Sequence, residues 1–360
     1  MEKKIKVGIY TFIAANNYGA VLQAFALKQY LCDQGCDAYC MDYRPGYLAD
    51  KYVPFSLCRL NQKGSFIRNL LKEILLYRGL KRKNELFENF RKKNLNLSLD
   101  NERNFDYYIV GSDQVWNYEI TQGDSVFLGD IPNARNNIIT YAASMEKGMA
   151  PEYCGDFRNR LKNFFAISVR EESLKNKLKV DFDQQSTLVV DPTFLLSAKD
   201  WHRFGIPYSG YDQNYVFMYG FGFTEKEMNA VRIFADKKGL SLIVATSGVK
   251  YKKHYKNDIS PEQFVYLIEH AAYVVTNSFH GTAYSVIFEK NYLQLPKKGQ
   301  KRSIRVENLL KLLGVKAESE NICDGVNMDS FISLTFANQK LHDAIESSKE
   351  FLKLNLINVH

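Results

Sequence analysis

The stretch AAYVVTNSFHGTAYSVIF, residues 271–288, contains a histidine in a position where it could do acid–base chemistry. Its pattern predicts a buried strand (Tyr273–Thr276), a polar turn and then an apolar helix (Thr282–Phe288). This order places His280 at the carboxyl edge of a parallel sheet and beside a helix N-terminus, where ligands and anions bind. An imidazole there can transfer protons near neutral pH, but it could equally cap the helix or bond a neighbouring loop.

Other residues that could do chemistry also follow predicted strands. The first strand is followed by Asn-Asn-Tyr-Gly, where the asparagines can cap a helix and the glycine admits a ligand close to the backbone. Because the carboxyl ends of parallel strands share one edge of a sheet, all of these residues are candidates for one site. The candidates are Asn16, Asn17, Gly19, Asp113, Ser144, Arg170, Glu171, Asp191, Ser278 and His280.

Two of these side chains have both a chemical and a structural interpretation. Asp113 could accept a proton as a base, or it could cap the turn that follows it. Arg170 closes a buried strand and needs an anionic partner, which Glu171 or Glu172 could supply from within the protein. A substrate carboxylate or phosphate would fit its guanidinium group equally well.

Strands alternate with helices along most of the chain, which predicts an α/β fold with parallel sheets and right-handed crossovers. The 360 residues suit two domains, and the alternation is interrupted at residues 197–213, where turn-forming residues accumulate. We therefore predict an N-terminal domain over residues 1–196, a linker over 197–213, a C-terminal domain over 214–329 and a helical tail over 330–360. The cleft between the two domains would hold the site.

The positive charge is concentrated in one basic helical segment. Residues 59–93 contain eleven Lys/Arg and three Glu, so they carry the whole net charge of +8. An amphipathic helix is predicted by an apolar stripe at helical spacing, which consists of Phe66, Ile67, Leu70, Leu71, Ile74 and Leu75.

This helix could lie on an anionic membrane surface, or it could pack on its domain with a solvated basic face, which we favour. If it binds membranes, binding to anionic liposomes should weaken on neutralising Lys81, Arg82 and Lys83. No recognition motif accompanies the charge, so we do not expect nucleic-acid binding.

The composition, with 46% hydrophobic and 24% charged residues, is that of a globular protein. No apolar run approaches the roughly 18 residues that a membrane-spanning helix needs. The N-terminal MEKKIKVGIYTF runs directly into a strand pattern and lacks a signal-peptide cleavage site. Cys32, Cys36 and Cys40 have a spacing that fits no ferredoxin motif, which predicts free thiols in a reducing compartment. We therefore expect a cytoplasmic protein without a metal site.

Seven stretches, in order from residue 5 to about residue 314, resemble the polysaccharide pyruvyl transferase family. They are VGIYTFIAANNYGAVLQAFAL, DYYIVGSDQVWN, TYAASM, FFAISVREESL, LVVDPTFLL, YVVTNSFHGTAYSVIF and KRSIRVENLLKLLG. The resemblance implies two Rossmann-like domains with parallel sheets facing a cleft, as in GT-B glycosyltransferases. It also implies transfer of pyruvate from phosphoenolpyruvate to a sugar of a surface polysaccharide or its lipid-linked precursor, as a cyclic ketal. It implies no cofactor, because phosphoenolpyruvate is a co-substrate.

The resemblance suggests a role for each candidate residue. His280 would protonate the methylene carbon of phosphoenolpyruvate, and Asp113 would accept a hydroxyl proton. The donor would be bound on the side of the C-terminal domain, with Arg170, Ser278, Gly281, Arg302 and Arg305 as the donor-binding residues. The N-terminal domain would bind the acceptor through Asn16, Asn17, Gly19 and Ser144. No step requires a metal.

Ser278 departs from the family pattern, in which many members carry Arg two residues before the histidine. One expected cation is therefore missing, although Arg302 or Arg305 could replace it. Two alternatives stay open: a GT-B-type glycosyltransferase that uses a nucleotide sugar, and a non-catalytic sugar-binding relative. For the leading interpretation, the expected partners are a sugar or lipid-linked oligosaccharide and, through residues 59–93, the inner face of an anionic membrane.

Overall fold

The computed structural model describes residues 4–60, 65–99, 104–146, 148–210, 214–246, 255–296, 303–315, 332 and 338–357. Within these residues the chain is an α/β protein with two parallel sheets that face a common cleft, which confirms the predicted fold class. No helix in this described part combines the length and the apolar character that crossing a membrane would require.

The strands of the two sheets come from separate halves of the chain. They are β1 (Lys6–Tyr10), β2 (Asp37–Cys40), β3 (Tyr107–Val110), β4 (Ile138–Thr140), β5 (Ser168–Val169), β6 (Thr187–Leu188), β7 (Tyr215–Tyr219), β8 (Ser241–Ala245), β9 (Tyr255–Lys256), β10 (Tyr273–Thr276) and β11 (Tyr292–Gln294). The first sheet has the order β2-β1-β3-β4, and the second has the order β11-β10-β7-β8-β9. The short pair of β5 and β6 joins the first sheet through bridges such as Ala143 to Val169.

Helices connect these strands, as parallel pairing requires. They are α1 (Tyr18–Asp33), α2 (Gly46–Ala49), α3 (Leu57–Leu60), α4 (Phe66–Asn94), α5 (Tyr118–Thr121), α6 (Pro151–Arg160), α7 (Glu172–Phe182), α8 (Ala198–Phe204), α9 (Glu225–Lys237), α10 (Pro261–His270), α11 (Phe279–Ile287), α12 (Ile304–Leu312) and α13 (Gln339–Leu352). Shorter 3-10 turns cover Ser125–Leu128, Leu161–Asn163 and Pro192–Leu195, and a π turn covers Lys353–Ile357.

The register of the central strands brings their carboxyl ends to the cleft. Val7 of β1 lies opposite Ala38 of β2 and Tyr107 of β3. All five residues of β7 are buried, because helices cover both faces of the sheet. The loops after β1, β3 and β10 therefore emerge at one place.

The two sheets share a continuous hydrophobic core. Tyr18 of α1 stacks on Phe264 of α10 with ring centroids 4.5 Å apart, and its hydroxyl donates to the carbonyl of Ile259 at 3.0 Å. The C-terminal helix α13 forms hydrogen bonds with both halves of the chain. The N–H of Val190 donates to Ser348 Oγ at 2.9 Å, and Asn338 at the start of α13 donates to the carbonyl of Leu313.

The structure refines two local predictions. Residues 197–213, predicted as a linker, contain helix α8, which begins with a capping box of Ser197 and Asp200 and buries Trp201 completely. The helix predicted over Thr282–Phe288 begins earlier, at Phe279, with Ser278 as its N-cap. His280 therefore lies in the first turn of a helix and not in the preceding turn, because the chain turns sharply after β10.

Helix α4 is longer than its neighbours, and its two halves differ. In the second half Phe87, Phe90 and Arg91 are buried. In the first half the apolar stripe faces solvent, with Ile67 68% exposed and Ile74 62% exposed. The preferred interpretation of the stripe as a packed face is therefore wrong for the first half of α4.

Candidate active site

A cavity of about 610 Å³ lies between the carboxyl ends of the two sheets. The first half of the chain contributes Asn17 after β1 and Asp113 after β3, while the second half contributes His280 and Arg305. The cavity is therefore built by both halves, at the position where open parallel sheets bind ligands.

His280 is the second residue of α11 and lies on the cavity wall, with only 5% of its surface exposed. Its Nε2 atom is 3.7 Å from Asp191 Oδ2 and has no hydrogen-bond partner among the described residues. Burial lowers the pKa of His280, although Asp191 and Asp113 partly oppose this shift. The imidazole is therefore neutral near neutral pH, and an anionic ligand beside it would raise its pKa and favour the protonated form.

The imidazole ring packs directly on the backbone of Gly19 in the first turn of α1. A Cβ atom at this position would lie 2.0 Å from Nδ1 of His280, so only glycine leaves room for the ring. Asn17 caps α1 by accepting the N–H of Gly19 at 3.0 Å, and Asn17 also lines the cavity. Gly19 itself is not among the lining residues, and its contact is with His280.

Three helix N-termini open onto the cavity. Helix α1 begins after Asn17, α11 after Ser278 and α12 after Ser303, and all three residues line the wall. The Ser278 side chain makes no capping hydrogen bond, so it leaves the first N–H groups of α11 open to a ligand. Helix N-termini carry partial positive charge, and this convergence therefore favours an anionic ligand.

Arg305 adds a full positive charge to the same wall. Its Nη1 donates to Asp113 Oδ1 at 3.2 Å, and its Nη2 donates to Glu146 Oε2 at 3.1 Å. Burial alone would raise the pKa of Asp113, but Arg305 and Arg170 outweigh it and hold the pKa below its ordinary value. A carboxylate held in this way is a weak base, and its backbone φ of +70° places it in a region that non-glycine residues rarely adopt.

Arg170 does not line this cavity but lies in a buried network of carboxylates, beside a second cavity of about 390 Å³ that it lines together with Arg305. It donates to Asp191 through Nη1 and to Asp113 through Nη2, and its Nε is 3.6 Å from Glu171 Oε1. Burial would lower the pKa of Arg170, but these three carboxylates raise it. Phe279 contacts both Arg170 and Arg305, with their guanidinium carbons 4.9 and 5.7 Å from the ring centroid. The partners that the sequence required for Arg170 are therefore supplied by the protein.

Several predicted site residues lie away from the cavity. Ser144 is fully buried and donates to Glu171 Oε1. Gly281 allows α11 to begin close to β10, since a Cβ there would lie 2.2 Å from Thr276 Oγ1. The amide of Asn16 turns toward α4, where its Oδ1 accepts from Arg91 at 2.7 Å. Arg302 lies outside the described residues.

Two residues that line the cavity, Phe279 and Glu146, were missed as site residues. Each lies within two residues of a predicted candidate, so position could have identified them. Asp191 was a strand-end candidate without an assigned role, and it is the carboxylate nearest to His280. Their roles depend on which side chains meet across the cleft, and the sequence pattern does not contain that information.

Comparison with known proteins identifies the family. A profile described as polysaccharide pyruvyl transferase matches residues 17–291. The chain belongs to this family. No curated protein matches this pyruvyl transferase family member significantly. Its match includes His280, Asp113 and the three cavity-facing residues Asn17, Ser278 and Phe279, whereas Arg305 follows the matched region.

Solved structures with similar folds are distant from this pyruvyl transferase family member. UDP-N-acetylglucosamine 2-epimerase from Rickettsia bellii is 10% identical with a TM-score of 0.41, covering 98% of this chain and 96% of its own. The epimerase from Neisseria meningitidis bound to UDP-GlcNAc is 11% identical with a TM-score of 0.43, covering 97% and 99%. A glycosyltransferase from Rickettsia africae is 8% identical with a TM-score of 0.39, covering 99% and 98%.

Proposed function

We propose that this protein transfers pyruvate from phosphoenolpyruvate to two hydroxyls of a sugar, forming a cyclic ketal. The observation that carries the proposal is a buried histidine in a cavity where three helix N-termini and Arg305 converge. Phosphoenolpyruvate has two anionic groups and an alkene carbon that must be protonated. The three helix N-termini and Arg305 would bind the anionic groups, against the carboxylates of Asp113, Glu119 and Glu146 that also line the cavity, and the imidazole would protonate the carbon.

The donor would bind with its charged groups near Arg305 and the start of α11. The side chain of Ser278 leaves the N–H groups there without a side-chain cap, and Arg305 supplies charge-assisted hydrogen bonds. Arg305 then serves in place of the arginine that many relatives carry at the position of Ser278. Asp113 has a positioning role here, because its ion pairs with Arg305 and Arg170 hold both guanidinium groups.

One imidazole can move each proton that the reaction requires. Donor binding raises the pKa of His280, which becomes protonated and gives its proton to the methylene carbon. A sugar hydroxyl bonds to C2 and its proton passes to the imidazole. The phosphate then leaves C2 and takes that proton. The second hydroxyl bonds to C2, closes the ketal and returns a proton to His280, so atoms and charges balance.

The acceptor would occupy the part of the cavity away from Arg305. Candidate contacts for it among the lining residues are Asn17 and Tyr52 from the first half of the chain and Asn277 from the second. Hydroxyl and amide groups with aromatic rings are typical of sugar sites. The partner would therefore be a sugar of a polysaccharide precursor, free or linked to a lipid.

The proposal is tested by combining donor binding with turnover. Calorimetric titration with phosphoenolpyruvate should give saturable binding to the wild type and to His280→Gln. Phosphate release with a panel of sugars bearing neighbouring hydroxyls should fall at least about 100-fold in His280→Gln, and NMR should detect the ketal in the wild-type reaction. Arg232→Gln, a change on the exposed face of α9, is the matched control.

Two results would contradict the proposal. Binding of a nucleotide sugar without any binding of phosphoenolpyruvate would indicate a glycosyltransferase. Binding of sugars alone, with phosphate release absent and cellular polymer unchanged in His280→Gln, would indicate a non-catalytic sugar-binding protein.

A further inference from the structure

The first half of α4 presents an apolar surface to solvent. We define the outer face of α4 as the exposed side chains of residues 66–82. Five large apolar side chains on this face are between 51% and 68% exposed: Phe66, Ile67, Leu71, Ile74 and Leu75. A helix on a globular protein normally turns such residues toward the core. Contiguous exposed apolar patches mark interaction sites.

Polar contacts on the opposite side hold α4 in this orientation. Glu73, only 4% exposed, accepts from Arg59 Nε at 2.8 Å and from the N–H of Ser56 at 3.3 Å. Asn69 Nδ2 donates to the carbonyl of Leu60 at 3.0 Å. These polar contacts on the inner side leave the five large apolar side chains facing outward, where a globular protein normally turns them inward.

The charges on the outer face have one sign. The exposed cations of residues 66–82 are Arg68, Lys72, Arg78, Lys81 and Arg82. The single carboxylate in this stretch is Glu73, and Arg59 neutralises it on the inner side. The outer face therefore combines apolar side chains with uncompensated positive charge.

This combination selects one type of partner. An anionic lipid surface offers headgroups to the cations and an acyl boundary to the apolar residues, which are the two requirements of interfacial helices. A second copy of the chain would place five cations against five cations across a twofold interface. Nucleic acid would use the cations but would leave the apolar residues in water. We propose that the outer face of α4 docks the protein on an anionic bilayer.

The docking surface is connected to the active site through the same helix. Lys83 Nζ donates to the carbonyl of Thr246 at 2.5 Å, and Asn84 Oδ1 accepts from Asn16. A smaller cavity of about 230 Å³ is lined by Leu80 and Lys83 of α4, and it shares Asn17, Tyr52 and Phe221 with the large one. Docking would bring the smaller cavity close to the lipid surface, where a lipid-linked sugar could enter it and reach the large cavity. Entry of the sugar is the one step of this inference that rests on the proposed function.

Vesicle co-sedimentation tests the docking. The full-length protein is mixed with phosphatidylcholine vesicles, with or without phosphatidylglycerol. We expect binding only when the anionic lipid is present. Neutralising the cations together in Arg78→Gln/Lys81→Gln/Arg82→Gln should weaken partitioning roughly 100-fold. Lys83 is excluded from this variant because it is buried and bonded to Thr246.

The apolar contribution is tested by Ile67→Asp/Leu71→Asp, which should abolish sedimentation with vesicles. Both side chains are exposed, so the fold should be unaffected. Matched controls on α9 are Ile233→Asp, at a side chain that is 54% exposed, and Lys226→Gln/Arg232→Gln/Lys237→Gln, at three exposed cations. Both controls should bind vesicles as the wild type does.

Three outcomes would overturn the docking. They are no binding of the wild type, binding that survives the apolar double variant, and a wild-type dimer in solution that the double variant dissociates. Phosphate release with a water-soluble acceptor should be unchanged in the docking variants. Loss of vesicle binding with intact turnover separates docking from chemistry, so either proposal can fail alone.

Discussion

Arg170 and Arg305 both lie near the ring of Phe279, but their surroundings differ. Arg170 has a side chain that is 4% exposed and is surrounded by Asp191, Asp113 and Glu171. Arg305 shares Asp113 but lines the large cavity, and its second partner, Glu146, lines it too. Arg170 is therefore enclosed by more carboxylates than Arg305, and under the proposed function Arg305 is the guanidinium group that would meet the donor.

The largest expected effect is on stability, at Arg170. Replacement in Arg170→Met leaves three buried carboxylates without their cation, and we expect a loss of about 3–5 kcal/mol in the free energy of unfolding. Urea denaturation followed by circular dichroism measures it. Arg305→Gln should lose less than half as much, and equal losses in the two variants would remove the distinction between them.

The next effect is on donor affinity, at Arg305. Arg305→Gln should weaken binding of phosphoenolpyruvate by about 10- to 100-fold, because a charge-assisted hydrogen bond is lost while the fold is kept. Adding Ser278→Arg to this variant should recover part of the affinity, since Ser278 lines the same cavity. Calorimetric titration measures the affinity for phosphoenolpyruvate in each variant, with Arg232→Gln as the control. Unchanged affinity in Arg305→Gln would mean that the donor binds elsewhere.

The smallest effect concerns pH and His280, whose Nε2 atom is 3.7 Å from Asp191, a partner of Arg170. Its folded-state pKa is lowered, so its contribution to stability is complete above the unfolded pKa of about 6.5 and is lost as the pH falls through the folded value. Between pH about 7.5 and about 5.5, the wild type should therefore lose more free energy of unfolding than His280→Gln. The nearby carboxylates are present in both the wild type and His280→Gln, so they contribute to the pH dependence of both proteins. Equal losses of stability in the two proteins would show that burial does not disfavour the charged imidazole.

The sequence predicted the sheets well, because strand and helix patterns are local. β10 has the predicted bounds, and several polar residues at strand ends meet at one edge as parallel sheets require. The two arginines could not be distinguished, since the partners of Arg170 come from three different strand ends. The orientation of α4 could not be predicted either, because its apolar stripe has a normal helical period and only the buried pair of Glu73 and Arg59 reverses it.

The contact of His280 with Gly19 joins the two halves of the chain at the reacting group. The ring belongs to the second sheet, and the backbone that supports it belongs to the first. If the halves moved apart, water would reach the imidazole and its pKa would rise toward that of a free histidine. Under the proposed function, donor binding would therefore protonate a shielded imidazole only while the two halves of the chain are closed.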